Sequence, residues 1–320
     1  MKAEPVSVIA RRVASLLKRP VLPVYRLDGE REGRPLSLLV ADDGSTLAYM
    51  RELAFPDGAR LTREGGVSTL RAHRLVEQDA DVVVVGANLL LRRLYLRPGF
   101  RLVPKWVRLF LPVSEDPYAR LFEYGRQTRK YFKWMRKKVQ DEGFICRVTD
   151  DLAWLEGFYT DMYVPYARDR YGDLAVVHSL TRVKSVFKRG GAIVVHKDGR
   201  ELAGAVFAVD DGVMSVPHFG AAMGDLDLVR DGGNFAMDYY AAQLAFEKGC
   251  GFIDFGHSRA FLSDGPLRYK LNWHMEARDD DDAIAAFAMA TPGDTEAGLA
   301  FLEANRSYEL TDGGVALRDE

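Results

Sequence analysis

Residues 191–219, GAIVVHKDGRELAGAVFAVDDGVMSVPHF, are the stretch that decides the fold of this chain. Three apolar segments, at 191–196, 201–209 and 213–219, are separated by the sequences Lys-Asp-Gly and Asp-Asp-Gly. Apolar runs of this length joined by Asp-Gly turns are typical of β-hairpins. The stretch therefore predicts an antiparallel meander of three strands.

The sequence on either side of this meander predicts a mixed fold. Downstream, a loop at 220–232 leads to a helical pattern at 233–248 and then to a short apolar strand at 252–255. Upstream, strand-like runs occur at 36–41, 81–87, 89–96 and 107–113. We expect an α+β fold with mixed, largely antiparallel sheets flanked by helices.

A long helical pattern at 117–139 separates the β-rich first third from the remainder of the chain. A chain of 320 residues can bury one large core or two moderate ones. We therefore predict an N-terminal β-rich half at 1–116 and a C-terminal half at 117–320, joined by this helix.

Charge is distributed unevenly along the chain. Between Arg92 and Lys138 there are fourteen Lys or Arg residues and three acids, a local charge of +11 in a chain whose net charge is −2. Such a block is either a solvated helix face or an attraction for an anionic partner such as a phosphorylated ligand, anionic lipid or RNA. It contains no recognisable DNA-reading helix, so specific DNA binding is not expected.

Composition and hydropathy limit the cellular setting. The two cysteines, Cys146 and Cys250, are far apart and form no CxxC motif, which favours a reducing cytoplasm over a disulfide framework or a zinc site. No apolar run has the length of a membrane span. Residues 6–19 form a basic amphipathic pattern, which either packs on its own domain or rests on the anionic inner face of the membrane.

Residues 242–256, AQLAFEKGCGFIDFG, are followed by Ser258, Gly265 and the run Leu-Arg-Tyr-Lys at 267–270. Together with the predicted order of three strands, loop, helix and short strand, this sequence pattern resembles that of the FemAB-like branch of the GNAT superfamily of acyltransferases. The resemblance covers roughly residues 120–276. It implies a GNAT-like fold, with two GNAT-like halves in many members of the branch, and transfer of an acyl or aminoacyl group.

The donor site implied by this resemblance lies before the helix at 233–248. The GNAT pyrophosphate signature is partly present here, with an Arg, a first Gly and then Phe235 at its last place. A helix N-terminus also presents free backbone N–H groups to a phosphate. The predicted donor-binding residues are Arg230, Gly232, Gly233 and Asn234, together with Arg126, Arg129 and Lys130 on the basic helix.

Acyl transfer to an amine needs stabilisation of the developing oxyanion and a route for the proton of the amine. The resemblance implies a cation at Lys270, near the reacting carbonyl or a donor phosphate. Asp254, His257 and His218 are expected to converge at the open end of the sheet, where either histidine would relay the proton near neutral pH. For each histidine the alternative is a packed or surface residue without a chemical task.

Acceptor contacts are implied by the resemblance in the stretch 163–173 and in the aromatic–Lys pair. The residues are Tyr163, Tyr166, Arg168 and Tyr269, whose phenol and guanidinium groups suit a polar acceptor. An aromatic core with a charged helix end is an alternative for the first three. No metal site and no tightly bound cofactor are expected.

The leading hypothesis is an N-acyltransferase that works by direct attack in a ternary complex. The donor would be an acyl-CoA, another acyl-thioester or an aminoacyl-tRNA, the acceptor an amine, and the setting cell-envelope or polysaccharide biosynthesis. The alternative is a catalytically degenerate GNAT-fold scaffold or binding protein of an envelope assembly system.

Overall fold

The computed structural model describes residues 20–42, 44–88, 92–95, 99–115, 126–172, 175–225, 227, 232–278, 285–311 and 314–317. The predicted α+β class is confirmed, with mixed and largely antiparallel sheets flanked by helices. The chain divides into two compact units. One contains the chain up to Val107, His257–Arg268 and the chain from Ala277 onwards, and the other contains Arg108–Gly256 and Tyr269–Glu276.

The first unit is built around a six-stranded sheet of order β3-β1-β2-β4-β13-β5. Its strands are β1 (Val21–Arg31), β2 (Arg34–Ala41), β3 (Arg60–Ser68), β4 (Val82–Asn88), β5 (Phe100–Pro104) and β13 (Ala285–Ala290). The β2–β4 pair is parallel, whereas the other pairs are antiparallel. The four valines that begin β4 are fully buried, as expected for a strand covered on both faces.

Helices and a small hairpin complete this unit. They are α1 (Gly44–Ala54), the short α2 (Arg92–Tyr95), α9 (Glu296–Ala304), 3-10 turns at Ala72–Glu77 and Pro292–Asp294, and the hairpin β14 (Tyr308–Thr311) and β15 (Gly314–Leu317). Within the range predicted as a strand at 89–96, the described residues form α2 instead. The ring of Tyr95 is buried there and packs edge-on against Phe100, a contact that the apolar pattern alone does not distinguish from strand packing.

The second unit is built around a seven-stranded sheet of order β12-β6-β11-β10-β9-β8-β7. Its strands are β6 (Val107–Pro112), β7 (Ile145–Thr149), β8 (Gly190–Lys197), β9 (Arg200–Asp210), β10 (Val213–Ala221), β11 (Phe252–Ser258) and β12 (Glu276–Arg278). The predicted meander is β8-β9-β10, with both pairs antiparallel. Its two Asp-Gly turns hold Asp198 and Asp211 at positive φ, followed by a glycine each.

Among the described residues, the helices of the second unit are α3 (Arg126–Asp141), α4 (Leu152–Gly157), α5 (Val164–Tyr171), α6 (Leu180–Phe187), α7 (Asn234–Glu247) and α8 (Gly265–Asn272), whose first turn belongs to the first unit. A π-helical segment, Phe158–Tyr163, joins α4 to α5, and a 3-10 turn follows β10 at Ala222–Gly224. No helix among the described residues has the length and apolar character needed to cross a membrane.

The parallel pairing of β10 with β11 is short. It comprises Val213–Phe252, Met214–Ile253 and Ser215–Asp254, although both strands continue beyond the last pair. Past Ser215, β10 undergoes a register shift against β9 and then follows β9 to Ala221. The end of β11 therefore lies outside this ladder, which leaves its carbonyl groups available to other partners.

Two features differ from the predicted organisation. The predicted helix at 117–139 is α3 where described, and it lies inside the second unit because Phe132, Met135 and Val139 are buried there. The compact units also differ from a division between 116 and 117, since β13 forms hydrogen bonds with both β4 and β5. Residues 6–19 lie outside the described residues.

Candidate active site

Lys270 is held at the end of β11. Its ammonium donates to the carbonyl oxygen of Phe255 at 2.8 Å and to that of Gly256 at 3.4 Å. Gly256 has φ +70°, a conformation that favours glycine, and its N–H donates to Asp254. The Asp-Phe-Gly sequence thus turns the chain so that two successive carbonyls meet one cation, just past the last β10–β11 pair.

The preceding residue on α8, Tyr269, bonds to a buried carboxyl group. Its hydroxyl donates to Oδ2 of Asp238 at 2.5 Å. Asp238 lies in α7 and is 2% exposed. Burial raises its pKa from 3.8 to about 7, and the Tyr269 hydrogen bond and the charge of Lys270 oppose that rise. A carboxyl group with this pKa exchanges a proton near neutral pH, which an ordinary aspartate does not do.

Three further side chains lie close enough to act electrostatically on this pair. Burial, and then the Asp238 carboxylate, raise the pKa of Tyr131 on α3. Burial also raises the pKa of Tyr166 on α5, with a smaller contribution from the same carboxylate. Arg170 stacks over the Tyr166 ring at 5.8 Å and interacts electrostatically with Tyr269. The surroundings of Asp238 are therefore phenol-rich, with one guanidinium and one ammonium group.

The N-terminus of α7 is the predicted donor site. Gly233 is its N-cap, has helical backbone angles and is buried, and the residue before it, Gly232, lies with it in a π-helical turn. Gly232 has φ +113° and is buried against α3, where a Cβ would lie 3.3 Å from Met135 Cε. Asn234 begins the helix and is half-buried. Arg230 lies outside the described residues.

Phe235, which departs from the pyrophosphate signature, is a core residue. It is buried between the rings of Phe132 and Trp273, with ring centroids 5.6 and 4.9 Å away. Its side chain therefore fills space between α3 and α8 rather than the space in front of the N–H groups of α7.

On the basic helix, Arg129 and Lys130 are exposed. The side chain of Arg126, in the first turn of α3, lies outside the described residues. Arg129 and Lys130 precede Tyr131 directly, so this part of α3 is next in sequence to a residue that interacts with Asp238.

Asp254 has partners that favour a positioning role. Both Nε and Nη2 of Arg108 donate to its Oδ2, the former at 2.8 Å, and the Gly256 N–H donates to its Oδ1 at 2.8 Å. The Arg108 side chain is 40% exposed, whereas the carboxylate is buried. It ties β6 to β11 and shapes the turn that meets Lys270.

His218 occupies a closed environment. It is 1% exposed, and its ring packs edge-on against Tyr163 at 5.3 Å and His178 at 5.2 Å. Neither ring nitrogen has a hydrogen-bond partner among the described residues. Burial lowers its pKa from 6.5 to about 3, so the imidazole stays neutral at physiological pH and is a weak proton acceptor.

Three of the predicted site residues remain to be placed relative to Asp238 and His218. Tyr163 is buried and its hydroxyl accepts from the His178 N–H at 3.0 Å, whereas Arg168 is exposed. His257 is exposed and belongs to the first unit, so the predicted convergence of His257 with Asp254 and His218 remains a prediction.

The structure thus brings together Lys270, Tyr269 and Tyr166 around Asp238, which sequence reasoning missed. A signal for it exists: Asp238 interrupts the otherwise apolar run Phe-Ala-Met-Asp-Tyr-Tyr-Ala-Ala at 235–242. An acid inside such a run is seldom buried without a partner. Across the described part of the chain, no group of three or more His, Cys, Asp or Glu residues could hold a metal ion.

No protein-family model matches the chain, and no curated protein sequence does either. Among solved structures the chain is similar to FemX, with 12% identity, a TM-score of 0.44, and coverage of 87% of this chain and 90% of that chain. It is also similar to L-PGS from Bacillus licheniformis, with 11% identity, a TM-score of 0.39, and coverage of 87% and 84%.

A GCN5-related N-acetyltransferase from Kribbella flavida is similar as well, with 16% identity, a TM-score of 0.33, and coverage of 91% of this chain and 97% of that chain. The likeness in all three cases is one of fold.

Proposed function

We propose that this chain is an N-acyltransferase that moves an acyl or aminoacyl group from an activated donor to an amine at the end of β11. One observation carries the proposal: Tyr269 and Lys270 are consecutive on α8, and they place a proton route and a cation side by side. Tyr269 bonds to Asp238, while Lys270 is held by the carbonyls of Phe255 and Gly256.

The reaction balances with these groups alone. The amine nitrogen attacks the donor carbonyl carbon and forms a C–N bond, and the bond from that carbon to the thiol or hydroxyl leaving group breaks. A proton of the attacking nitrogen passes to the Tyr269 oxygen as the Tyr269 proton passes to Asp238. The same route in reverse then delivers a proton to the departing thiolate or alkoxide, which restores ionised Asp238. The Lys270 ammonium stabilises negative charge on the carbonyl oxygen or a donor phosphate.

The burial of Asp238 supports its role in this scheme. A proton acceptor works best when its pKa is near the working pH, and the pKa of Asp238 is about 7. Tyr269 keeps its own proton at rest, since burial and then the nearby carboxylate raise its pKa well above the ordinary value. It therefore relays a proton rather than holding a charge.

The donor in this proposal is an acyl-CoA, another acyl-thioester or an aminoacyl-tRNA, bound as a co-substrate. The exposed Arg129 and Lys130 of α3 and the positive end of the α7 dipole suit its phosphates. The sequence resemblance to FemAB-like proteins supports an amine acceptor from envelope or polysaccharide biosynthesis. Tyr166 and Arg168 on α5 are the proposed acceptor contacts, with Tyr163 behind them in the core.

The test is calorimetric titration of the full chain with acetyl-CoA, a long-chain acyl-CoA and a charged tRNA pool. Each titration is repeated with Lys270→Ala and with Lys248→Ala, an exposed lysine after α7 that serves as the matched control. We expect one donor class to saturate the protein, with affinity reduced about tenfold or more by Lys270→Ala and unchanged by the control.

The donor that binds is then incubated with a panel of amines, and the product is detected by mass spectrometry. If no donor binds to protein with a native near-ultraviolet circular dichroism spectrum, the acyltransferase proposal fails. The scaffold alternative from the sequence would then be pursued through protein partners.

A further inference from the structure

The outward face of α3 has two exposed aromatic side chains. Trp134 is 56% exposed and Tyr131 is 44% exposed, whereas Phe132, Met135 and Val139 are buried. With 3.6 residues per turn, Trp134 projects on the side opposite Phe132 and Val139, so it takes no part in the core. An indole placed at the middle of a solvent-facing helix side exposes apolar area to water.

Lysines surround this indole. Lys130, Lys133 and Lys137 are exposed and lie within one helical turn of Trp134, and the ammonium of Lys138 sits 5.5 Å from the centre of its ring. The helix contains seven Lys or Arg residues and one acid, Asp141. The face therefore combines a strong positive charge with one protruding indole and one phenol.

We propose that this face, defined by Lys133, Trp134 and Lys137, docks on a phospholipid membrane that contains anionic lipids. Indoles and phenols are the side chains that favour the boundary between headgroups and acyl chains. Lysines beside them reach lipid phosphates while their stems cover apolar surface. The buried side of α3 stays in the protein core, so the docking is shallow and mainly electrostatic.

Two other partners fit the face less well. Single-stranded nucleic acid is bound by successive rings along a groove, but here one indole protrudes from a convex helix. The centre of a protein interface is depleted in lysine, whereas lysines here lie on both sides of Trp134. The charge and the aromatic ring together match a lipid surface.

The docking face adjoins the candidate active site. Tyr131 lies at its edge, and the Asp238 carboxylate contributes to the raised pKa of Tyr131. A docked α3 would place the Asp238 cluster near the headgroups, which suits an acceptor amine carried by the membrane. That last step rests on the proposed function, whereas the docking itself does not.

The experiment measures sedimentation of the full chain with phosphatidylcholine vesicles, with and without phosphatidylserine. We expect binding only when phosphatidylserine is present, and a loss of roughly fivefold in partitioning for each lysine neutralised. Lys133→Gln/Lys137→Gln should thus lower partitioning roughly 25-fold. The matched control, Lys188→Gln/Lys248→Gln, neutralises two exposed lysines elsewhere in the second unit and should change it less than about twofold.

Tryptophan fluorescence gives an independent readout. Of the four tryptophans in the chain, Trp134 is exposed and Trp273 is buried. We expect anionic vesicles to shift the emission to shorter wavelength, and Trp134→Phe to abolish that shift while the folded protein still sediments. A shift that persists in Trp134→Phe would contradict insertion of this side chain.

Three outcomes would overturn the proposal. The first is no binding to phosphatidylserine vesicles by the unmodified chain. The second is binding that Lys133→Gln/Lys137→Gln leaves unchanged, which would assign membrane contact to another segment such as residues 6–19. The third is loss of tRNA binding in that variant with vesicle binding intact. Turnover with a soluble donor and acceptor should persist in the variant, so failure of docking and failure of the proposed function are distinguishable.

Discussion

Asp238 and His218 are both almost completely buried in the second unit, and burial moves their pKa values in opposite directions. The interior favours the neutral form of each group, which is the protonated carboxyl and the deprotonated imidazole. The pKa of Asp238 therefore rises to about 7 and that of His218 falls to about 3. Burial therefore moves the pKa of the acid into the neutral range and moves the pKa of the histidine out of that range.

The partners of the two groups differ as well. Asp238 accepts a hydrogen bond from Tyr269 and feels the charge of Lys270, so its ionised form has some support. His218 packs against Tyr163 and His178, whose rings offer its charged form no counter-ion. The pKa of Asp238 therefore lies near neutral pH, and His218 is a packed part of the core.

The largest expected effect concerns turnover. Asp238→Asn removes the proposed proton acceptor, so kcat/KM with the donor and acceptor pair identified by titration should fall about 10²–10⁴-fold. His218→Asn should lower it less than tenfold, roughly the range of an indirect packing effect. Near-ultraviolet circular dichroism confirms that both variants are folded. A larger loss in His218→Asn than in Asp238→Asn would reverse the assignment.

The next effect is on stability as a function of pH. The raised pKa of Asp238 means that the folded state retains its proton between pH 3.8 and about 7. Its contribution to the free energy of unfolding is therefore full below pH 3.8 and lost as the pH rises through 7, by an amount on the order of 4 kcal/mol. Denaturant unfolding of the unmodified chain and of Asp238→Asn across this range measures the difference.

His218 should show the opposite sign in the same measurement. Its lowered pKa makes its contribution full above pH 6.5 and lost as the pH falls towards 3. The stability difference between the unmodified chain and His218→Asn should therefore shrink on acidification. If the stability differences of Asp238→Asn and His218→Asn from the unmodified chain changed with pH in the same direction, the opposed pKa shifts would be contradicted.

A smaller effect is expected on the free energy of unfolding when a methyl group is added to the backbone near His218 or at the end of β11. A Cβ at Gly220, two residues after His218, would lie 2.7 Å from backbone atoms of Met162 and Tyr163. Gly220→Ala should cost about 1–3 kcal/mol of unfolding free energy through overpacking. A Cβ at Gly256 would have no neighbouring atom of the described residues within 4 Å, so Gly256→Ala should cost only about 1 kcal/mol for its positive φ.

Denaturant midpoints of these two glycine variants provide the comparison. Equal costs, or a larger cost at Gly256, would indicate that the end of β11 is packed as tightly as the surroundings of His218.

The smallest expected effect is a pKa shift at Asp238. Tyr269→Phe removes a hydrogen bond that favours the ionised carboxylate, so the pKa of Asp238 should rise further, by about one unit. Carboxyl ¹³C chemical shifts followed through a pH titration measure it. Tyr163→Phe, a matched loss of a buried phenol near His218, should leave Asp238 unchanged. A fall in the pKa of Asp238 in Tyr269→Phe would show that the phenol does not support the carboxylate.

Much of the second unit was predictable because its signals are local. The meander has apolar runs and Asp-Gly turns, whose positive φ values follow from backbone sterics alone. Tyr269 and Lys270 belong to a short motif that is visible in the sequence, and their helix begins at the Gly265 of that motif. Asp238 was missed because its partner Tyr269 is 31 residues away, and only the packing of α7 beside α8 makes them neighbours.

The first unit was less predictable because one strand of its sheet, β13, comes from a distant part of the sequence. β13 pairs with β4 and β5, although almost 200 residues separate it from them. An apolar segment such as 285–290 predicts a strand, but its sequence does not say which sheet it joins. The helical α2 shows the same limit, since its short apolar pattern fits a strand or a buried helix turn.

The sequence by itself determined the α+β class, the three-strand meander, the glycine at the turn after Asp254 and the basic character of α3, because each depends on near neighbours along the chain. Only the tertiary structure decided that β13 enters the first sheet, that Asp238 meets Tyr269 and that His218 is closed off from water. Those outcomes depend on which distant surfaces exclude solvent together, and burial then moves the pKa of Asp238 into the neutral range and that of His218 out of it.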